Sequence, residues 1–338
     1  MFQRGFTQAS GAAGLIEKRY RIGSFVLRLR FAGQALVDQI HPAISHLAAE
    51  ATGGAPDLTV CLWDGPLPHL LDSLRLLLKR HRCSRVEPRG EVRGYYCDRI
   101  RCGIHFDPDS FSLFDLETQT ALYWTEDAAR LPYYERGSPL RMILSWWLQA
   151  RGYQYVHGAA LGDGVGGALL LGAGGSGKST AALACLGSDL QYLADDYCAM
   201  RVEPSPRLYS LYRTVKLPGP EDIARCSAAN PLVSNERFEQ SQKTMAFLEP
   251  AHLRQETPLK AVVLVSHGDQ EQATYARVSG SAVLRQALPW TMLQLPNAGP
   301  VTARLFKALA QTVPCYRLTT GTDLTQIPNA LRSILGEP

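Results

Sequence analysis

The segment GAGGSGKS, Gly172 to Ser179, fits the spacing GxxxxGK[ST]. A polyphosphate is gripped best by successive backbone N–H groups turned inward around it. Side chains would obstruct so close a wrap, and Gly172, Gly174, Gly175 and Gly177, with the small Ser176 among them, avoid the obstruction. Lys178 adds a point charge for the β- and γ-oxygens, and Ser179 offers a hydroxyl to Mg2+. Thr180 opens a helix whose N-terminus favours an anion. The context agrees: GGALLL before the loop reads as a buried strand, and KSTAALACLG after it as a helix stopped by glycine. A chance glycine-rich turn explains none of this.

Two acids follow closely, Asp195 and Asp196, at the end of LQYLADDY. That stretch reads as a second buried strand, so strand, helix and strand form one compact right-handed parallel crossover. Both strands then end at the same edge of the sheet, beside the phosphates. One carboxylate suffices to hold Mg2+. Adjacent strand residues point to opposite faces, so the second is free for another task, such as taking a proton from an attacking hydroxyl. The plainer alternative is that one of the pair caps a turn.

His157 comes before the loop. YQYVHGAAL and GALLLG flank GDGVG, the pattern of a β-hairpin. Pairing Leu161 with Gly167 would set His157 across from Leu171, next to the loop. A lone histidine is more often structural; here the neighbouring loop suggests contact with the terminal phosphate or support of the acid.

These residues need elements to hold them. Residues 19–30, RYRIGSFVLRLR, alternate like a strand, and ALVDQIHPAISHLAAEA has helical spacing. PDLTVCLWDG reads as a strand, LPHLLDSLRLLLKRHR as an amphipathic helix with a basic last turn, and residues 90–125 as a meander of strands. This gives an α+β N-terminal domain over 1–125 with no catalytic motif, and a second domain over 126–338. SPLRMILSWWLQARG reads as a helix with Ser138 at the N-cap and Pro139 at N1. Residues 218–244, polar and rich in turn formers, read as a mobile loop over a site.

Composition narrows the classes. A chain of 338 residues suggests two domains, and 46% hydrophobic residues suffice for sizeable cores. A net charge of +4 suits an anionic ligand without arguing for nucleic acid. The start lacks an apolar signal core and no apolar run is long enough for a bilayer, so a cytoplasmic protein without a membrane partner is expected. The eight cysteines form no CxxC pair. Cys97, Cys102 and His105 lie close together but fall short of a structural zinc set.

The histidine, the loop and the closely following acid pair resemble the catalytic domain of HPr kinase/phosphorylase, itself similar to the nucleotide-binding core of phosphoenolpyruvate carboxykinase. The resemblance covers roughly residues 138–330 and includes LYRTVKL (211–217) and PCYRLTTGTDLTQIP. It implies an α/β fold, a P-loop kinase domain of that type behind a smaller α+β domain, using ATP and Mg2+ to phosphorylate a serine hydroxyl. It further implies Asp195 as the base, His157 as its aid, Asp196 toward the metal, and Arg213 and Lys216 as phosphate contacts. Thr180 stands where HPr kinases carry an acid, and residues 1–125 do not resemble their N-terminal domain. The overall plan is also similar to kinases of lasso-peptide precursors, which implies a protein or peptide partner bearing a serine and leaves a homo-oligomer open. A small-molecule or carboxykinase-like phosphotransferase and a nucleotide-binding regulatory scaffold are the competing classes.

Overall fold

In the computed structural model the described residues are 2–50, 54–66, 86–87, 90–105, 109–217, 238–240, 243–295 and 299–337. They form mixed α/β structure in two compact units, Met1–Arg151 with Leu295–Asn297, and Gly152–Gln294 with Ala298–Pro338. The sequence reading places the boundary after residue 125. The units divide later because the segment after it packs on the first unit. Trp147 meets Phe25 edge-on at 5.3 Å, and Arg151 lies over both rings while donating to the Asp57 carbonyl.

The first unit is built on an eight-stranded sheet. Strands β1 (Leu15–Ile22) and β2 (Phe25–Ala32) split the run read as one strand. Gly23, at φ +56, permits the two-residue turn between them. Strand β3 (Leu58–Asp64) is parallel to β2 and to β8 (Thr120–Thr125). The meander β4 (Val86–Glu87), β5 (Gly90–Tyr96), β6 (Ile100–His105) and β7 (Ser110–Asp115) completes it.

Helix α1 (Phe2–Ala13), to which the sequence reading assigns no element, sets Phe6 against Trp63. Helix α2 (Ala35–Ile44) buries Leu36, Val37 and Ile40. The helix expected over LPHLLDSLRLLLKRHR lies outside the described residues. Ser138 closes the short α3 (Tyr133–Gly137), donating its N–H to Tyr134, and α4 (Arg141–Gln149) starts after Leu140 at φ +57. Ser138 therefore ends one helix instead of capping the next.

The second unit carries the loop. Strands β9 (Tyr153–His157) and β10 (Ala159–Gly162) are one run of chain bent at Gly158. Then come β11 (Gly167–Leu171), α5 (Lys178–Ala184), β12 (Gln191–Ala194) and β13 (Tyr197–Arg201). The remaining strands are β14 (Arg207–Ser210), β15 (Thr214–Leu217), β16 (Phe238–Gln240), β17 (Lys243–Phe247), β18 (Glu256–His267), β19 (Thr274–Arg277) and β20 (Cys315–Thr320). Helices α6 (Gly280–Gln286), α7 (Leu288–Gln294), α8 (Pro300–Thr312) and α9 (Ile327–Gly336) complete the unit. Of the polar stretch 218–244, residues 218–237 and 241–242 lie outside the described residues; the rest enters β16 and β17.

Strands β11, β18 and β20 run parallel. Alternation along β11 feeds two cores. Ala168 and Leu170 join Ala181, Leu183 and Leu331 on one face, while Leu169 and Leu171 join Val283, Phe306 and Leu309 on the other. Strands β11 and β12 share a direction, as the sequence suggests, but they are not neighbours. Strand β10 lies between them, antiparallel to both. The tight turn puts it there: the Asp163 carboxylate accepts the Val165 and Gly166 N–H groups.

Leu161 pairs with Ala168, and His157 lies opposite Tyr197 on β13, not opposite Leu171. Pairing with β11 stops at Ala159, because the chain turns into the other ladder at Gly158. A side chain at Gly158 would meet the Leu170 carbonyl at 2.7 Å and Leu171 at 2.9 Å. Gly158→Ala should therefore destabilise the second unit by about 1–3 kcal/mol, the usual size of overpacking. Urea unfolding followed by circular dichroism checks this; an unchanged midpoint would show that the bend relaxes freely.

Candidate functional site

The site forms where β11 ends and α5 begins. Between them Gly175 and Gly177 take φ of +79 and +94, a region other residues enter only with strain. The Ser176 N–H bonds back to the Ala173 carbonyl at 3.2 Å and closes the loop on itself. Lys178 follows at the first position of α5 and is only 8% exposed. Its Nζ donates to the Gly172 carbonyl at 3.0 Å and the Ala173 carbonyl at 2.8 Å. These bonds hold the ammonium across the loop, so its position is fixed by backbone rather than by a flexible stem.

The acids sit at the bend between β12 and β13. Asp195 is 2% exposed, and its Oδ1 accepts the Ser179 hydroxyl at 2.8 Å. The Tyr197 N–H reaches the Asp195 carbonyl at 2.8 Å, closing a three-residue turn over Asp196 at φ +66. The Asp196 Oδ1 lies 3.3 Å from His157 Nε2, and its carbonyl accepts the Gly158 N–H at 3.0 Å. The two carboxylates thus part company through a backbone turn, not through strand alternation. The resemblance implies the base at Asp195 and the metal at Asp196. The geometry pairs Asp195 with the Ser179 hydroxyl and Asp196 with the imidazole.

Arg213 is buried; its Nη1 donates to the Leu248 carbonyl at 2.8 Å, and its guanidinium lies over Phe247. Lys216 is in β15 opposite Met245, and its side chain lies outside the described residues. Thr180 is half-buried in α5.

Residues that sequence reasoning passes over complete the surroundings. Helix α7 lies alongside: the Thr291 hydroxyl accepts the His157 N–H at 3.3 Å, and Gln294 accepts the Tyr197 hydroxyl at 3.0 Å. Trp290, on the same helix, borders the loop at Gly174. Tyr192 is buried behind the acids. Burial first, then the charges of Asp195 and Asp196, holds its phenol proton well above the usual range. His267 ends β18 with Nε2 2.9 Å from the Gly175 carbonyl. Its one sequence signal is a polar residue closing the apolar run AVVLVSH, at the strand edge where the loop also lies.

A hydroxyl beside a carboxylate is an all-oxygen set, the chemistry a Mg2+ ion takes, and a glycine-rich loop with a fixed ammonium suits polyphosphate oxygens. Among the described residues, no helix is long and apolar enough to cross a membrane.

No family model matches the chain, and no curated protein matches it. Among solved structures it is similar to an HPr(Ser) kinase/phosphatase from Coxiella burnetii, with 11% identity and a TM-score of 0.30. The similarity covers 53% of this chain and 95% of that one. The chemistry of the site rests on its own geometry.

Ser179→Ala would leave the buried Asp195 carboxylate one donor short. Without nucleotide or metal it should lower stability by about 1–3 kcal/mol, whereas Asp195→Asn, whose amide oxygen can still accept, should lower it less. Urea melts of the three proteins check this. A Ser179→Ala midpoint equal to that of wild type would show that the bond contributes nothing.

Proposed function

We propose that the protein is an ATP- and Mg2+-dependent phosphotransferase of the HPr-kinase-like class, acting on the serine hydroxyl of a protein or peptide. The observation that carries the transfer reading is the division of the acid pair, with Asp195 on the Ser179 hydroxyl and Asp196 on His157. The acceptor class is supported by the motif resemblance.

The loop N–H groups and Lys178 would hold the β- and γ-phosphates, and Ser179 with Asp195 would hold Mg2+. The ion, when bound, neutralises charge on the phosphate oxygens. Asp196, kept in place by His157 and by its own turn, takes the proton of the acceptor hydroxyl. That oxygen bonds to the γ-phosphorus as the bond from the γ-phosphorus to the β–γ bridging oxygen breaks, and ADP leaves. This assigns the metal to Asp195 and the base to Asp196, the reverse of what the resemblance implies. The reason is the hydroxyl: Ser179 is the metal-side residue of the loop, and it is Asp195 that touches it.

The test uses calorimetry for ATP–Mg2+ and phosphate transfer from γ-labelled ATP to a serine-containing peptide library. Lys178→Ala should weaken nucleotide binding by about 10–100-fold, the size of a lost charged hydrogen bond. Asp195→Asn should remove the gain in affinity that Mg2+ confers. Asp196→Asn should leave affinity nearly intact and slow transfer by about 10²–10⁴-fold. Exchanged phenotypes for the two asparagine variants would restore the roles implied by the resemblance. Tight nucleotide binding with no labelled acceptor of any kind would favour the regulatory scaffold.

A further inference from the structure

His267 has no place in the chemistry above, yet it touches the loop at two of its left-handed glycines, Gly175 and Gly177. Strand β18 is paired with β11 in parallel, Leu264 level with Leu171. The partner strand turns into the loop at that level, whereas β18 continues to His267. The imidazole therefore meets the loop as it folds back. Its Nε2 lies 2.9 Å from the Gly175 carbonyl oxygen. A carbonyl only accepts, so Nε2 carries the proton and donates. The same ring lies against Gly177, where a β-carbon would come 2.9 Å from its Cε1.

We infer that His267 is a positioning residue for the phosphate loop, pinning its tip from the neighbouring strand through the Gly175 carbonyl and Gly177. The inference rests on reading Gly172–Ser179 as the phosphate-binding loop. The physical argument concerns peptide orientation. In a trans peptide the carbonyl of Gly175 and the N–H of Ser176 point in opposite directions. Holding the carbonyl toward His267 turns the Ser176 N–H the other way, where it meets the Ala173 carbonyl. Both glycines are free to rotate, and glycine loses the most backbone freedom on being fixed. A donor at the exposed end of a strand whose preceding residues are buried fixes them before any ligand arrives, so less ordering remains to be done on binding. The opposite rim is held from Lys178, which grips the Gly172 and Ala173 carbonyls. The loop is thus clamped at its start by its own helix and at its tip by β18.

The test compares wild type, His267→Ala, His267→Gln and Lys178→Ala. Glutamine places an N–H donor at about the reach of Nε2. Two readouts are taken: hydrogen exchange of the loop amides in ligand-free protein, and calorimetric affinity for ATP–Mg2+. His267→Ala should speed exchange at Ser176 and Gly177 and weaken affinity by about 3–10-fold, the size of one neutral hydrogen bond. His267→Gln should return both toward wild type, with melting temperatures alike throughout. A general structural role would lower the melting temperature and would not be rescued by glutamine. Unchanged exchange in His267→Ala overturns the inference whether or not nucleotide binds. Weak binding by Lys178→Ala with unchanged exchange and affinity in His267→Ala would leave the phosphate-loop reading standing and remove this one. Faster exchange in His267→Ala, with ATP–Mg2+ bound equally by wild type and Lys178→Ala, would support the pin and remove the function proposed for the loop.

Discussion

Gly158 donates its N–H to the Asp196 carbonyl at 3.0 Å, and at that point two paired runs of chain bend together. On one side of the bend β10 pairs with β12; on the other β9 pairs with β13. Everything chemical about the site hangs on this shared kink. Glycine allows it on one strand because no side chain fits under the Leu170 carbonyl. The left-handed Asp196 allows it on the other. A non-glycine residue in that conformation is strained, and here the strain is over-determined by the Tyr197 N–H on one flank and the Gly158 N–H on the other. The kink is what sends one carboxylate toward the loop and its neighbour toward the imidazole.

The second constraint is burial. Asp195 sits almost out of contact with water, where an ionised carboxylate is costly unless hydrogen-bonded. The Ser179 hydroxyl supplies such a bond, and Lys178 satisfies two loop carbonyls in the same small volume. Electrostatic interactions strengthen in such surroundings, because little water screens them and few dipoles remain free to reorient. A site made in this way has its charges placed by hydrogen bonds before a substrate enters. That preorganisation is the main contribution a protein makes to phosphoryl transfer.

How far the sequence discloses this depends on whether the cause is local. The loop, its strand and its helix were legible because glycine spacing and apolar runs act over a few residues. The common edge of β11 and β12 was legible from chain length. The hairpin of β10 on β11 was legible from GDGVG, but the pairing of β12 with the other edge of β10 was not, since it joins stretches far apart in the chain. Alternation misjudged the reason for the split at Asp195–Asp196 because the pair leaves the strand altogether. His267 and Thr291 stand far along the chain from the loop and His157, and only the pairing of β18 and the docking of α7 bring them there. Ser138 shows the converse: a good capping residue was claimed by the helix before it.

The order of strands in the first unit bears on how the chain is made. Strand β3 is flanked by β2, just upstream, and by β8, which begins at Thr120. Between β3 and β8 lies the whole meander of β4 to β7, which reaches the sheet through β8. During synthesis from the N-terminus, β3 can therefore pair on one side early, while its other edge waits for some sixty residues to emerge, a delay of several seconds at about 5–20 residues per second. That edge presents unpaired backbone groups on a strand whose Leu62 and Trp63 the finished structure buries. A nascent chain halted between these strands would present an open, apolar ladder, the kind of surface that chaperones recognise and that joins wrongly to other chains.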